Sequence, residues 1–107
     1  MVKSNIITIT VKEAEGKVTY NHITAEKTEV VEGESVHFTG VVKGYIPSLE
    51  WHIWIRVFVD GAEKASFDIY PKESGEFEET YEFDITFDRK GTYDVYTEAL
   101  AQLTHYE

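Results

Sequence analysis

The chain has 107 residues, 20 acidic against 10 basic side chains, a formal net charge of -10, and no cysteine. That length supports one domain, 1–107, with a core of its own, and the lack of cysteine excludes disulfides, thiolate nucleophiles and cysteine-ligated zinc or iron–sulfur centres. The acidic balance argues against nucleic acid as a partner, because phosphate binding needs a basic footprint.

Period-two alternation of apolar and polar residues, broken by Gly, Pro and Asp, predicts seven strands. They cover about 5–12, 17–25, 34–43, 51–59, 63–70, 76–87 and 92–100. Turn chemistry separates them at Glu15-Gly16, Glu32-Gly33-Glu34, Gly44 to Pro47, Asp60-Gly61, Pro71 to Gly75 and Lys90-Gly91. Seven short strands in a chain of this size predict an all-β fold, an immunoglobulin-like two-sheet antiparallel sandwich. No window has convincing helical periodicity. The tail Glu98-Ala99-Leu100-Ala101-Gln102-Leu103 carries helix-forming residues, which allows a short turn there.

The first element, from Ile6, follows Met1-Val2-Lys3-Ser4-Asn5 directly. There is no apolar run of signal-peptide length and nothing near the roughly 20 apolar residues of a membrane span. Taken as it stands, the chain is expected in the cytoplasm; as a domain excised from a larger secreted protein it would be extracellular. Fifteen Glu and eight Lys, against one Gln, two Asn and one Met, match the composition of thermophile proteins.

The hairpin of the fourth and fifth elements is the most informative stretch. Trp51, Ile53, Ile55, Val57 and Val59 share one face; His52, Trp54, Arg56 and Phe58 share the other. A three-residue loop, Val59-Asp60-Gly61, keeps Ile53 and Ile55 with Phe67 and Ala65 and sets His52 opposite Asp68, whereas a two-residue loop inverts the pairing of faces. On the preferred register Trp54 and Phe58 point away from the core, flanked by His52, Arg56 and Tyr70. Outward aromatics beside an arginine have the composition of an interface. The competing reading is that the loop from Gly44 to Leu49, or the C-terminal tail, folds over them.

The sixth element alternates most cleanly. Phe77, Tyr81, Phe83, Ile85 and Phe87 face the core, with Glu79 as the exception, while Glu76, Glu78, Glu82 and Asp84 face solvent with Thr80 and Thr86. The acidic row reads first as a solubilising face. A cation or basic-partner site is the functional rival, and calcium sites draw their ligands from curled loops rather than a flat strand.

Glu32-Gly33-Glu34-Ser35-Val36, Arg56-Val57-Phe58-Val59-Asp60-Gly61 and Lys90-Gly91-Thr92-Tyr93-Asp94-Val95 resemble the CARDB-type (cell-adhesion-related) domains over about residues 24–100. The resemblance implies an immunoglobulin-like sandwich serving as an adhesion or spacer module. Tyr93 at the entry to the last strand is placed for a tyrosine corner, bonding back to nearby backbone. Ile46-Pro47, Glu50-Trp51-His52-Ile53 and Val59-Asp60-Gly61 resemble, more weakly, the superoxide reductase and desulfoferrodoxin family. That family implies iron held by histidines and one cysteine; here the cysteine has no counterpart, Ile46 replaces the histidine before the proline, and Trp51 stands where a ligand histidine falls.

His22, His37, His52 and His105 form no H-x-H or H-x-x-x-H pair, and no nucleophile elbow, P-loop or dinucleotide fingerprint is present. Carboxylate pairs carry no weight among fifteen Glu. The expectation is a non-enzymatic protein–protein interaction, adhesion or assembly module without a cofactor or metal, binding a protein partner or itself as a homo-oligomer. Its candidate surface is His52, Trp54, Arg56, Phe58 and Tyr70. The rivals are a carbohydrate-binding module, with Trp54 and Tyr70 or Phe58 stacking on sugar, and an iron protein of the superoxide reductase type.

Overall fold

A computed structural model describes residues 2–11 and 14–104. The described residues form six strands and no helix: β1 (Lys17–Ala25), β2 (Ser35–Ile46), β3 (Trp51–Val59), β4 (Ala62–Ile69), β5 (Gly75–Thr86) and β6 (Val95–Leu103). They make two antiparallel three-stranded sheets, ordered β1-β2-β5 and β4-β3-β6.

The expected first strand, 5–12, does not form over its described residues. Residues 2–11 have no ladder partner and stand in solvent, with Ile6 88% and Ile9 75% exposed; residue 12 lies outside the described residues. β propensity needs a neighbouring strand and a face to bury before it yields structure. The expected turn in the tail is also absent: Glu98 to Leu103 are strand, paired with β3 as far as Trp51↔Leu103. Sheet pairing overrides local helix preference there.

Burial follows the pleat. β2 alternates buried Val36, Phe38, Val42 and Ile46 with more exposed residues, and β3 buries Ile53, Ile55 and Val57. One cluster joins the two sheets: Val42 and Ile46 from β2, Ile53 and Ile55 from β3, and Phe77 and Tyr81 from β5, with Phe67 and Ile69 of β4 packed against it.

The β3–β4 connection is a two-residue loop, Asp60-Gly61, both with positive φ (49° and 83°), as a type I′ turn requires. Val59 pairs with Ala62, and a bulge then skips Lys64, so that Val57 meets Ala65, Ile55 meets Phe67 and Ile53 meets Ile69. The expected three-residue loop is therefore incorrect, yet the expected faces are kept. The extra residue in the bulge restores the parity that the shorter loop removes. Asp68 lies opposite Trp54 rather than His52, which it approaches diagonally at 3.3 Å.

β1 and β6 meet along one side of the two-sheet body. Asn21 Nδ2 donates to the Thr97 carbonyl (3.3 Å) and to Thr97 Oγ1 (2.9 Å), while the Tyr81 hydroxyl donates to Asn21 Oδ1 (2.6 Å) and lies 2.7 Å from Thr97 Oγ1. Tyr81 reaches this node by lying flat over Gly40, where an added Cβ would come within 2.2 Å of the ring. Burial pushes the Tyr81 phenol above its ordinary value. At the far end, Tyr93 donates from its hydroxyl to the Arg89 carbonyl at 2.7 Å, the backbone contact expected of a corner tyrosine.

Candidate functional site

The outward side of β4-β3-β6 carries the expected surface residues. Regular pairing sets Trp54 between Asp68 and Leu100, and Arg56 between Ser66 and Glu98; Phe58 lies between Glu63 and Tyr96. The Arg56 guanidinium carbon lies 5.0 Å from the ring centroids of both Trp54 and Phe58. Such stacking is electrostatically favourable and covers the aromatic faces with an ion that still reaches water. Arg56 Nε donates to Glu63 Oε1 at 2.6 Å, a hydrogen bond that pushes the guanidinium above its ordinary value and keeps it charged.

The five candidates divide by exposure. Phe58 is buried, stacked on Tyr96 with centroids 5.1 Å apart and planes within 10°. His52 is buried too: its Nδ1 lies 2.7 Å from Thr104 Oγ1, its Nε2 faces Asp68, and its ring sits 5.3 Å from that of Tyr70. These two are the floor of the face. Trp54 and Arg56 are half-buried, and Tyr70 is exposed. β6 adds Tyr96 and Leu100, the latter 54% exposed. Sequence reasoning missed both, although the alternation of Tyr96, Glu98 and Leu100 against Val95, Thr97 and Ala99 carries the signal. Phe58 is covered from within its own sheet; Gly44 to Ile46 belong to β2 in the other sheet.

The acidic row on β5 has partners that its own strand does not reveal. Lys43 of β2 meets Glu78 at 3.1 Å, and His37 of β2 meets Asp84 at 2.8 Å and Glu82 at 3.3 Å. Hydrogen bonding to Asp84, and then to Glu82, pushes His37 above its ordinary value. Among the described residues, no group of three or more His, Asp or Glu side chains is placed to hold a metal ion. His22 is exposed on β1, His37 faces outward on β2, His52 lies in the other sheet, and His105 falls outside the described residues.

Two grooves open at the end of the body where the β1–β2 and β5–β6 connections meet. The larger, about 810 Å³, has Val36, Phe38 and Val95 in its floor and Lys27, Glu32 and Lys90 on its rim. The smaller, about 450 Å³, lies between β4 and the end of β5; Val57, Val59, Ala65, Phe83, Ile85 and Phe87 supply its apolar lining, and Lys64, Asp84, Asp88 and Arg89 its charged lining. Set against protein-family models, curated proteins and solved structures, the chain matches none.

Proposed function

We propose that the chain is an immunoglobulin-like sandwich of the CARDB type that acts as a non-enzymatic association module, docking a protein partner or a second copy through the outward face of β4-β3-β6. The observation that carries this reading is the Trp54–Arg56–Phe58–Tyr96 ladder with exposed Leu100 and Tyr70 beside it. Aromatic and arginine side chains fixed in place lose little entropy on docking and supply most of the energy in protein interfaces. The acidic row on the opposite sheet keeps the rest of the molecule soluble.

A sugar-stacking role finds less support, because Arg56 occupies the faces of Trp54 and Phe58 that a sugar ring would use. The superoxide-reductase reading finds none in the described histidines, His22, His37 and His52, which are dispersed over both sheets. The test is light scattering across a concentration series for wild type, Trp54→Ala and Leu100→Asp, with a pull-down by the immobilised chain for foreign partners. The expected result is association, or partner capture, that both substitutions weaken. Association and capture that neither substitution changes would overturn the choice of face.

A further inference from the structure

The two sides of the body differ. On the β1/β6 side the inward residues of β6 are Thr97, Ala99 and Ala101, small enough for β1 to approach, and the Asn21–Thr97–Tyr81 node locks the strands together. On the β4/β5 side the inward residues are larger. Phe67 reaches Tyr81, with centroids 5.6 Å apart, but below that contact the sheets part into the 450 Å³ groove. Phe83, Ile85 and Phe87 point into this side and stay only partly covered. The outer edge of β5 has no strand beside it in the sheet order, and its ladder to β2 runs twelve residues without a bulge. A long regular edge is a template for another strand.

The described residues contain one segment suited to that edge. Residues 5–11, Asn-Ile-Ile-Thr-Ile-Thr-Val, alternate with Ile7, Ile9 and Val11 on one side and Thr8 and Thr10, preceded by Ile6, on the other. They contain no acidic residue, and Lys3 precedes them, whereas the β5 edge shows Glu76, Glu78, Glu82 and Asp84. Like charges oppose pairing of β5 with another β5, and an acid-free strand meets no such penalty. In the structure the segment touches no core of its own. In sequence the segment precedes β1, which begins at the Lys17↔Tyr45 pair. The groove lies at the opposite end, beside the Ser35↔Thr86 pair, roughly 33 Å away at the rise of a strand.

We propose that residues 5–11 of one copy add as an antiparallel edge strand to β5 of a second copy. Ile7, Ile9 and Val11 then enter the groove beside Phe83 and Ile85, and Thr8 and Thr10 lie along the acidic row. This is strand addition, with main-chain hydrogen bonds supplying affinity and alternate side chains supplying specificity. Donor and acceptor lie at opposite ends, so the contact is head-to-tail and propagates into an open chain of subunits. It uses a surface distinct from the Trp54 face and stands or falls separately from it.

The chain has no cysteine, so introduced pairs report cleanly. Thr8→Cys in one copy is mixed with Glu82→Cys, Asp84→Cys or Thr86→Cys in another under mild oxidation, with Tyr96→Cys as the off-edge control. The expected result is a mixed dimer with at least one β5 position and none with the control, alongside a ladder of oligomers for wild type in sedimentation. Ile7→Asp with Ile9→Asp, remote from the core, leaves the melting of the body intact and cuts the cross-linked yield about tenfold or more, since both carboxylates give up the apolar burial that Ile7 and Ile9 gain against Phe83 and Ile85. Trp54→Ala leaves the cross-link in place, which separates this contact from the proposed face. Equal cross-linking to the control, no cross-link at any β5 position, or cross-links only within one chain of the Thr8→Cys/Asp84→Cys double variant would overturn the proposal.

Discussion

Gly40→Ala tests how the two sheets are held together. An added Cβ at residue 40 would lie 2.2 Å from Cζ of Tyr81 and 2.5 and 2.6 Å from its Cε atoms, far inside van der Waals contact. The ring cannot slide away cheaply, because its hydroxyl is held by Asn21 and Thr97 across the gap between β1 and β6. Overpacking a core costs about 1–3 kcal/mol. Displacing the hydroxyl adds about 1 kcal/mol for each hydrogen bond lost. Gly40→Ala should therefore destabilise by about 2–5 kcal/mol, against a total of about 5–15 kcal/mol for a domain. Urea unfolding followed by tryptophan fluorescence measures this, with an unchanged m-value showing that the unfolded reference is unaltered. The sharper comparison is Gly40→Ala in a Tyr81→Ala background. With the ring gone the clash is gone, and the substitution should become neutral or stabilising by up to about 1 kcal/mol, the usual gain over glycine in a strand. An equal cost in both backgrounds, or a cost below about 0.5 kcal/mol with Tyr81 present, would refute the reasoning.

Three further outcomes follow from local geometry. His37 is raised from 6.5 by its contacts with Asp84 and Glu82, so its stabilising contribution is fully present below 6.5 and is lost as pH rises through the higher folded value; proton NMR should show it titrating above 6.5 in wild type and lower in Asp84→Asn, and a wild-type midpoint at or below 6.5 would be wrong for these contacts. Gly61→Ala places a side chain at φ 83° and should lower stability by about 1–2 kcal/mol in thermal melts, while Asp60→Asn, at φ 49°, should cost less. Tyr93→Phe removes the bond to the Arg89 carbonyl and should cost about 1 kcal/mol in urea unfolding, with no loss of strand signal in circular dichroism.

Strands with both an alternating pattern and a strong stop were legible in the sequence. β1 and β3 have the predicted bounds, because Gly16 and the Asp60-Gly61 turn punctuate clean alternation. The hairpin faces were legible even though the loop was not: burial of Ile53, Ile55 and Phe67 decides the faces, and a bulge at Lys64 satisfies both the short turn and the core. Residues 5–12 read as a strand because alternation reports a capacity to pair and is blind to whether a partner lies within the chain. On the candidate face, β3 alone supplied its central column, while Tyr96 and Leu100 arrive through the β3–β6 ladder, a non-local pairing that no short window encodes. The Asn21–Tyr81–Thr97 node was invisible for the same reason, its members lying 16 to 76 residues apart.

The charge of -10 gains a specific physical role from this arrangement. Spread evenly, it would oppose every association. Instead, Glu76, Glu78, Glu82 and Asp84 line the outward side of β5, where Lys43 and His37 from β2 neutralise only part of the row, while the outward side of the other sheet sets Arg56 among aromatic rings, paired with Glu63 and opposite Glu98. Repulsion therefore acts most strongly where two identical β5 edges would otherwise zip together, and least along residues 5–11, which carry no acid. Exposed β edges and apolar strips are tolerated on a soluble protein only when unwanted pairings are costly. Here the same acids that penalise edge-to-edge pairing leave the edge open to a strand that carries none. Salt should consequently act unequally on two kinds of contact: screening relieves repulsion between β5 edges and promotes irregular aggregation, whereas a contact built on buried Ile7, Ile9 and Val11 should depend on it only weakly.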